Sequence, residues 1–144
     1  MKSIALSQIL FLTMLSGAAF SVGAAVKADP HVTNASVFGE WEYAEKRGTY
    51  RIIVMHQGFE HVSSEVTAEW IADPRDSNED SHLVFSKTLV PYGIYSFGEP
   101  EYAKINGRIR VTLKGINTFQ AEQNITCIFD LTPARKVHVV RACG

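Results

Sequence analysis

Short segments in which apolar and polar residues alternate with period two constrain the fold more than any other feature. The clearest segment follows the dipeptide Asn106-Gly107. Alternation of this kind is typical of a β-strand that buries one face, and Asn-Gly is the preferred pair for a two-residue hairpin turn with positive φ. Residues 101–115 therefore predict a β-hairpin. Its second strand alternates Ile109, Val111 and Leu113 with Arg108, Arg110, Thr112 and Lys114.

Eight or nine such segments follow one another, and turn residues recur about every ten positions. No amphipathic helical pattern is present after the N-terminal segment. This pattern predicts an all-β chain that forms an antiparallel β-sandwich or a small closed β-barrel. The predicted strand segments are 36–43, 49–56, 60–72, 82–90, a short one within 91–100, 101–115 as a hairpin, 119–131 and 136–143.

The N-terminal segment has the organisation of a secretory signal peptide. Lys2 precedes a mostly apolar stretch, and small residues follow in "SVGAA". We predict a signal peptide over residues 1–25, a flexible arm over 26–35 and a single β domain over 36–144. A retained membrane anchor is the alternative, but polar interruptions favour cleavage and hence a periplasmic or secreted protein without an anchor. The formal net charge of −1 gives no reason to expect a nucleic-acid partner.

Two cysteines, Cys127 and Cys143, allow a single intramolecular disulfide. Cys127 lies on the apolar face of segment 119–131, and "TPAR" reads as a turn before the last strand. If the two strands pair about Arg135, Cys127 and Cys143 lie opposite each other and within bridging reach. A redox-active pair is the alternative, but the chain has no Cys-x-x-Cys motif. We predict a structural disulfide.

The acidic loop "DPRDSNEDS" contains a possible calcium site. Asp76, Asn78 and Asp80 place three oxygen ligands at alternate positions, as a loop that wraps a hard cation requires. Ser81 stands where a complete calcium loop carries Gly, and Lys87 stands where it carries a bidentate Glu. A solvated acidic turn is therefore the preferred interpretation. We predict no cofactor, although calcium is possible at this loop.

Two histidines, His56 and His61, would face each other if "QGFE" formed a four-residue hairpin loop. With Glu60 or Glu65 nearby, such a pair could contribute to a zinc or copper site. A site needs more ligands than these two imidazoles supply. Surface histidines are the preferred interpretation.

Two groups of side chains are candidates for contact with a partner. The aromatic residues of the segment rich in Pro and Gly could form an exposed recognition loop, or they could close one end of the core. The basic stripe could meet carboxylates or phosphates, or it could be the solvated face of the hairpin, with Glu101 as its cross-strand charge partner. The aromatic candidates are Tyr92, Tyr95, Phe97 and Tyr102, and the basic candidates are Arg108, Arg110 and Lys114.

No nucleophile elbow, metalloprotease helix, phosphate loop or dinucleotide fingerprint occurs in the sequence. We therefore predict a non-enzymatic module that binds another protein of the exported compartment, as an inhibitor, an immunity-type protein or an accessory subunit. One alternative is a barrel that binds a small molecule or calcium. A second alternative is a small secreted hydrolase that uses paired carboxylates, for which Glu40 with Glu42 and Glu65 with Glu69 are the candidates.

Overall fold

The computed structural model describes residues 31–75 and 78–144, which form nine β-strands in two antiparallel sheets. The predicted all-β sandwich is confirmed. The predicted signal peptide, residues 1–25, lies outside the described residues. Within those two ranges no helix is long and apolar enough to cross a bilayer. The strands are β1 (Val32–Tyr43), β2 (Lys46–Gln57), β3 (Ser63–Ala72), β4 (His82–Val90), β5 (Tyr95–Phe97), β6 (Glu101–Ile105), β7 (Arg108–Asn117), β8 (Gln120–Leu131) and β9 (Val137–Arg141).

The first sheet has the strand order β1-β2-β3-β4, and the second has the order β5-β7-β8-β9. Strand β6 also pairs with β7, at the opposite end of the edge that β5 occupies. Strands β5 and β6 therefore form one interrupted edge, and each sheet is four strand rows wide.

The core lies between the sheets and is built from the inward parity of each strand, as the alternation predicts. Trp70 on β3 is fully buried, with Tyr50 and Phe85 packed edge-on against its ring at centroid distances of 5.6 and 5.2 Å. The indole N–H donates a 2.9 Å hydrogen bond to the Thr132 carbonyl, which belongs to the turn after β8. Burial raises the pKa of Tyr50 to about 12. The Trp70 side chain thus both packs in the core and hydrogen-bonds from the first sheet to the turn that follows β8.

Strand β1 begins at Val32, inside the segment that was predicted to be a flexible arm. Val32 pairs with Met55, Asn34 pairs with Val54, and the Thr33 hydroxyl donates to the Val54 carbonyl. Because this segment contains short polar side chains, the sequence shows no clear strand pattern there. The backbone pairing with β2 orders it all the same, because backbone groups hydrogen-bond whatever side chain they carry.

The predicted segments 36–43 and 49–56 leave residues 44–48 for the turn between β1 and β2, and the structure places the turn at Ala44-Glu45 alone. Both residues have positive φ, 50° and 61°, as a two-residue turn of this hand requires. Gly48 lies instead within β2, where an added Cβ would sit 1.9 Å from the Ile71 carbonyl oxygen. Gly48 therefore serves the close approach of β2 to β3. The turn itself is formed by Ala44 and Glu45, for which the left-handed conformation is unfavourable.

We expect the double variant A44N/E45G to be more stable than the wild-type protein by about 1–2 kcal/mol, because Asn and Gly adopt positive φ at lower cost. Urea unfolding measures the difference. The Asn106-Gly107 turn already has the favoured pair, so G107A should lose about 1 kcal/mol and serves as the matched control. An A44N/E45G variant no more stable than the wild type would contradict this account.

The predicted Cys127–Cys143 disulfide is present, with a Cα–Cα distance of 4.8 Å. The strand register differs from the predicted one, because Leu131 pairs with Val137 rather than with Val139. A register shift on β9 next to Val139 then absorbs one residue before Arg141. Cys143 therefore lies beyond the last paired residue and joins the chain end to the core, where Cys127 is fully buried.

Removal of this cross-link by C143A should lower the free energy of unfolding by about 3 kcal/mol, as the chain-entropy model gives for a loop of this length. Equilibrium denaturation at pH 7 measures the loss. The wild-type protein with its disulfide reduced is the control and should unfold at a similar denaturant concentration. A loss below about 1 kcal/mol would show that the last strand is held without the disulfide.

Candidate functional site: an apolar end of the sandwich

Three loops at one end of the sandwich carry exposed apolar side chains. They are the β2–β3 loop (58–62), the β4–β5 loop (91–94) and the β7–β8 turn (118–119), together with the strand end next to it. Phe59 is 98% exposed and Phe119 is 62% exposed. Apolar side chains grouped on neighbouring loops mark an interaction site more often than isolated ones do. We call this surface the apolar end, and it consists of Phe59, Val62, Tyr92, Ile94, Ile116 and Phe119.

Thr118 connects the three loops of the apolar end. Its backbone N–H and its hydroxyl both donate to the Ile94 carbonyl, at 2.8 and 3.1 Å. Its own carbonyl lies 3.1 Å from Nδ1 of His61, which places the donor hydrogen on that nitrogen. The His61 ring also stacks on Phe119 at a centroid distance of 4.3 Å. The loops are therefore held in one arrangement by hydrogen bonds and stacking.

The base of the apolar end is fixed by side chains of the first sheet that bind the backbone of β5. The Phe97 N–H donates to the Ser64 hydroxyl at 2.9 Å, and the Phe97 carbonyl lies 3.0 Å from Nε2 of His56. Strand β5 thus pairs with β7 on one side and with side chains of β2 and β3 on the other. The loop that carries Tyr92 and Ile94 begins and ends on supported strands.

The two ends of the sandwich differ in charge. Residues 55–66, 89–96 and 115–120, which form the apolar end and its flanks, include no Lys or Arg and carry two acids, Glu60 and Glu65. The opposite end, at the β1–β2 and β3–β4 connections, holds an open cleft of about 430 Å³ lined by charged residues of both signs. They include Glu42, Glu45, Glu79, Asp73, Lys46, Arg47 and Arg75.

The carboxylate pairs that were candidates for hydrolysis lie in unlike surroundings. Glu40 and Glu42 are exposed on β1, whereas Glu69 is buried and forms an ion pair with Arg51 at 2.6 Å. Glu69 is therefore paired with a base rather than with a second carboxylate. A hydrolytic role for these residues stays a prediction.

The aromatic residues predicted as a recognition loop are separated in the structure. Phe97 is 2% exposed and belongs to the core, and Tyr95 packs against the core. Tyr102 stacks on Phe38 at 3.7 Å, and burial raises the pKa of its phenol. Of the four, only Tyr92 belongs to the apolar end.

Sequence reasoning missed Phe59 and Phe119, the most exposed aromatic residues of the part of the chain that the structure describes. The signal for Phe59 is its position inside a loop between Gly58 and Glu60, where no strand pattern needs an aromatic residue. Phe119 matches the apolar parity of β8, so the alternation predicts that it is buried. The two-residue turn at Thr118-Phe119 removes it from the strand.

The basic stripe lies on the outer face of the second sheet, and two of its three members are paired. Arg110 makes a two-pronged contact with Asp130 at 2.7 and 2.9 Å, and Lys114 contacts Glu101 at 2.6 Å. The hydrogen bond from Arg110 holds the pKa of Asp130 below its usual value, against the opposing effect of burial. Arg108 is exposed beside this pair.

The variant D130N should be less stable than the wild-type protein at pH 7 by about 1.5–3 kcal/mol, because it removes a charged hydrogen-bond acceptor. The folded pKa of Asp130 is lowered, so its stabilising effect is complete at neutral pH and is lost as the pH falls below the ordinary value of 3.8. The difference between the two proteins should therefore shrink in acid. Urea unfolding at several pH values measures it.

E101Q is the matched control for D130N, since it removes the partner of Lys114 from an ion pair whose side chains are both about 60% exposed. We expect a loss below about 1 kcal/mol at pH 7. Equal effects of D130N and E101Q would contradict the special role assigned to the Arg110–Asp130 pair.

The calcium site predicted at Asp76, Asn78 and Asp80 lies only partly within the described residues and stays a prediction. Asp76 lies outside them, and Asp80 is exposed in the acidic loop with Asn78. His56 pairs with Ser64, and His61 lies within a five-residue loop, so the two imidazoles do not face each other as predicted. In residues 31–75 and 78–144 no group of three His, Cys, Asp or Glu residues could hold a metal ion.

Comparisons of the chain with protein-family models, with curated proteins and with solved structures find no match. The function is therefore argued from the geometry and chemistry of the candidate site.

Proposed function

We propose that this protein is an exported, non-enzymatic module that binds another protein through its apolar end. The observation that carries the proposal is the set of exposed apolar side chains on three loops that Thr118 holds together. Exposed aromatic residues supply much of the binding energy at protein interfaces. An inhibitor or an immunity-type protein would use such an end to cover a site on its partner.

The fixed arrangement of the loops supports a binding role. Association costs free energy when loops must be ordered, and surfaces that are already ordered avoid part of that cost. Phe119 is held by the His61 ring, and Ile94 is held through its carbonyl by Thr118. The apolar end therefore presents ordered anchors next to Phe59.

The sheet edges offer less to a partner than the loops do. In the described strands, register shifts interrupt β1, β4 and β9, whereas the interior pair β2–β3 has none. The remaining edge is broken between β5 and β6 at residues 98–100, where Pro100 has no N–H to donate. No edge pairs more than five residues without a break. Interrupted edges are a known protection against added strands.

The exported location rests on the N-terminal signal pattern and on the disulfide. A Cys127–Cys143 bridge is compatible with an oxidising compartment, because disulfides persist there and are rare in the cytosol. The partner would then be a protein that meets this chain after export.

The test is a capture from the exported fraction of the native host with the oxidised protein, followed by titration of the purified partner. We expect F59S to weaken binding by about 30-fold or more, the loss typical of a central anchor. Because Phe59 is almost fully exposed, F59S should not change the folded state. Its unfolding midpoint is measured alongside.

The matched control is V37S with V139S, which removes apolar side chains of similar exposure to Phe119 from the strand edges β1 and β9. Binding should not change in this control. A partner that binds F59S as tightly as the wild type, but loses affinity for the control, would place the interface on the edges and overturn the proposal.

A further inference from the structure

Glu60 is the one acid in the β2–β3 loop, and it follows Phe59 directly at the exposed tip. Both residues are exposed, so an acceptor for the Phe59 ring would also meet the Glu60 carboxylate. The loop is held by the His61 ring, the next residue along the chain, through its contact with Thr118. The Glu60 carboxylate is therefore one residue along the chain from Phe59, the principal anchor of the proposed interface.

The charge around this tip has one sign. Glu60 and Glu65 are the acids of residues 55–66, and no Lys or Arg occurs there or in the two other segments of the apolar end. The chain as a whole is nearly neutral, with 14 basic and 15 acidic residues, and every described Lys and Arg lies outside these three segments. Glu60 therefore has no Lys or Arg of these segments to pair with, and its exposed carboxylate is available to a base on the partner.

We propose that the partner is a protein with an apolar socket for Phe59 whose rim carries a Lys or Arg opposite Glu60. This inference rests on the proposed function and specifies the partner's chemistry. Complementary charge at a rim steers association and rejects partners with the wrong sign, whereas the buried apolar contact supplies most of the affinity. Glu60 is then a specificity-determining residue, and Phe59 is the anchor.

Two other occupants of the apolar end fit its charge less well. A membrane with anionic lipids attracts apolar surfaces that carry Lys or Arg, and the apolar end has neither. A second copy of the chain packed end to end would bring Glu60 of each copy toward the same acidic surface, and like charges across an interface are unfavourable.

The experiment measures association rate and affinity of the purified partner for the wild-type protein, E60Q and E60K, in 50 and 300 mM salt. We expect E60K to lower the affinity about tenfold or more, and E60Q to act in the same direction through a slower association rate. Higher salt should weaken the wild type more than E60Q. The matched control is E42K, which makes the same charge change on an exposed residue at the opposite end and should bind as the wild type does.

The outcomes separate this inference from the proposed function. If F59S loses binding but E60K and E42K both bind normally, the apolar end is the docking surface and the basic rim is wrong. If F59S binds normally, or if no protein is retained in low salt, both proposals fail.

Two defined probes test the other occupants. Binding of the wild-type protein to phosphatidylcholine vesicles, with or without phosphatidylglycerol, and its loss in F59S would assign the surface to a membrane. A dimer in sedimentation equilibrium that F59S dissociates would assign it to a second copy. Either result would overturn the proposed partner.

Discussion

Strand β3 holds the two sheets in register, and the rest of the molecule depends on this. Ser64 and Trp70 lie on its inward face, six positions apart. Ser64 accepts a hydrogen bond from the backbone of β5, and Trp70 donates one to the backbone of the turn after β8. One contact lies near the apolar end and the other at the β8–β9 turn. A one-residue slip of β3 would turn both outward and would place Glu65 and Glu69 in the core, where unpaired carboxylates are very costly. The register is therefore strongly specified.

This fixed register explains where irregularity occurs in the fold. The interior pair β2–β3 runs without a break, and Gly48 allows its close approach at one end. The edge strands carry register shifts, as edges of twisted sheets commonly do, and the interior pair β7–β8 carries one next to its turn. Interruption makes the edges poor templates for another chain. The loops of the apolar end are ordered by Thr118 and by the Phe97 backbone contacts, so they are the ordered apolar surface that remains for a partner.

Much of the fold could be predicted from the sequence because it is encoded in local patterns. Alternation identified β7 and β8, and Asn106-Gly107 identified the hairpin between β6 and β7. The presence of only two cysteines identified the disulfide. The start of β1 could not be predicted, since Asn34 and Ala35 are residues that a strand accepts but does not favour. The turn at Ala44-Glu45 was missed because neither residue has a turn preference.

The candidate site was harder to predict, because exposure at the apolar end depends on strand order. Phe59, Ile94 and Phe119 lie far apart in the sequence and meet only when the ends of β2, β4 and β7 lie at one end of the sandwich. Phe119 follows the apolar parity of β8 although it is exposed. Phe97 belongs to the core, although the segment around it has the composition of a recognition loop. Alternation predicts which face of a strand is buried, but it does not predict which loops lie next to one another in the fold.

For the binding proposed above, the magnitudes require the whole apolar end to act as a unit. Burial of one phenylalanine side chain contributes about 1.5–3 kcal/mol, so Phe59 and Phe119 together would contribute about 3–6 kcal/mol. Association costs about 4–15 kcal/mol in lost translational and rotational freedom, before any loop is ordered. Two anchors alone do not reach a stable complex. The proposed complex therefore depends on more than its two anchors. It also needs the Thr118 hydrogen bonds, which order the loops in the free protein, and the remaining apolar residues of the end.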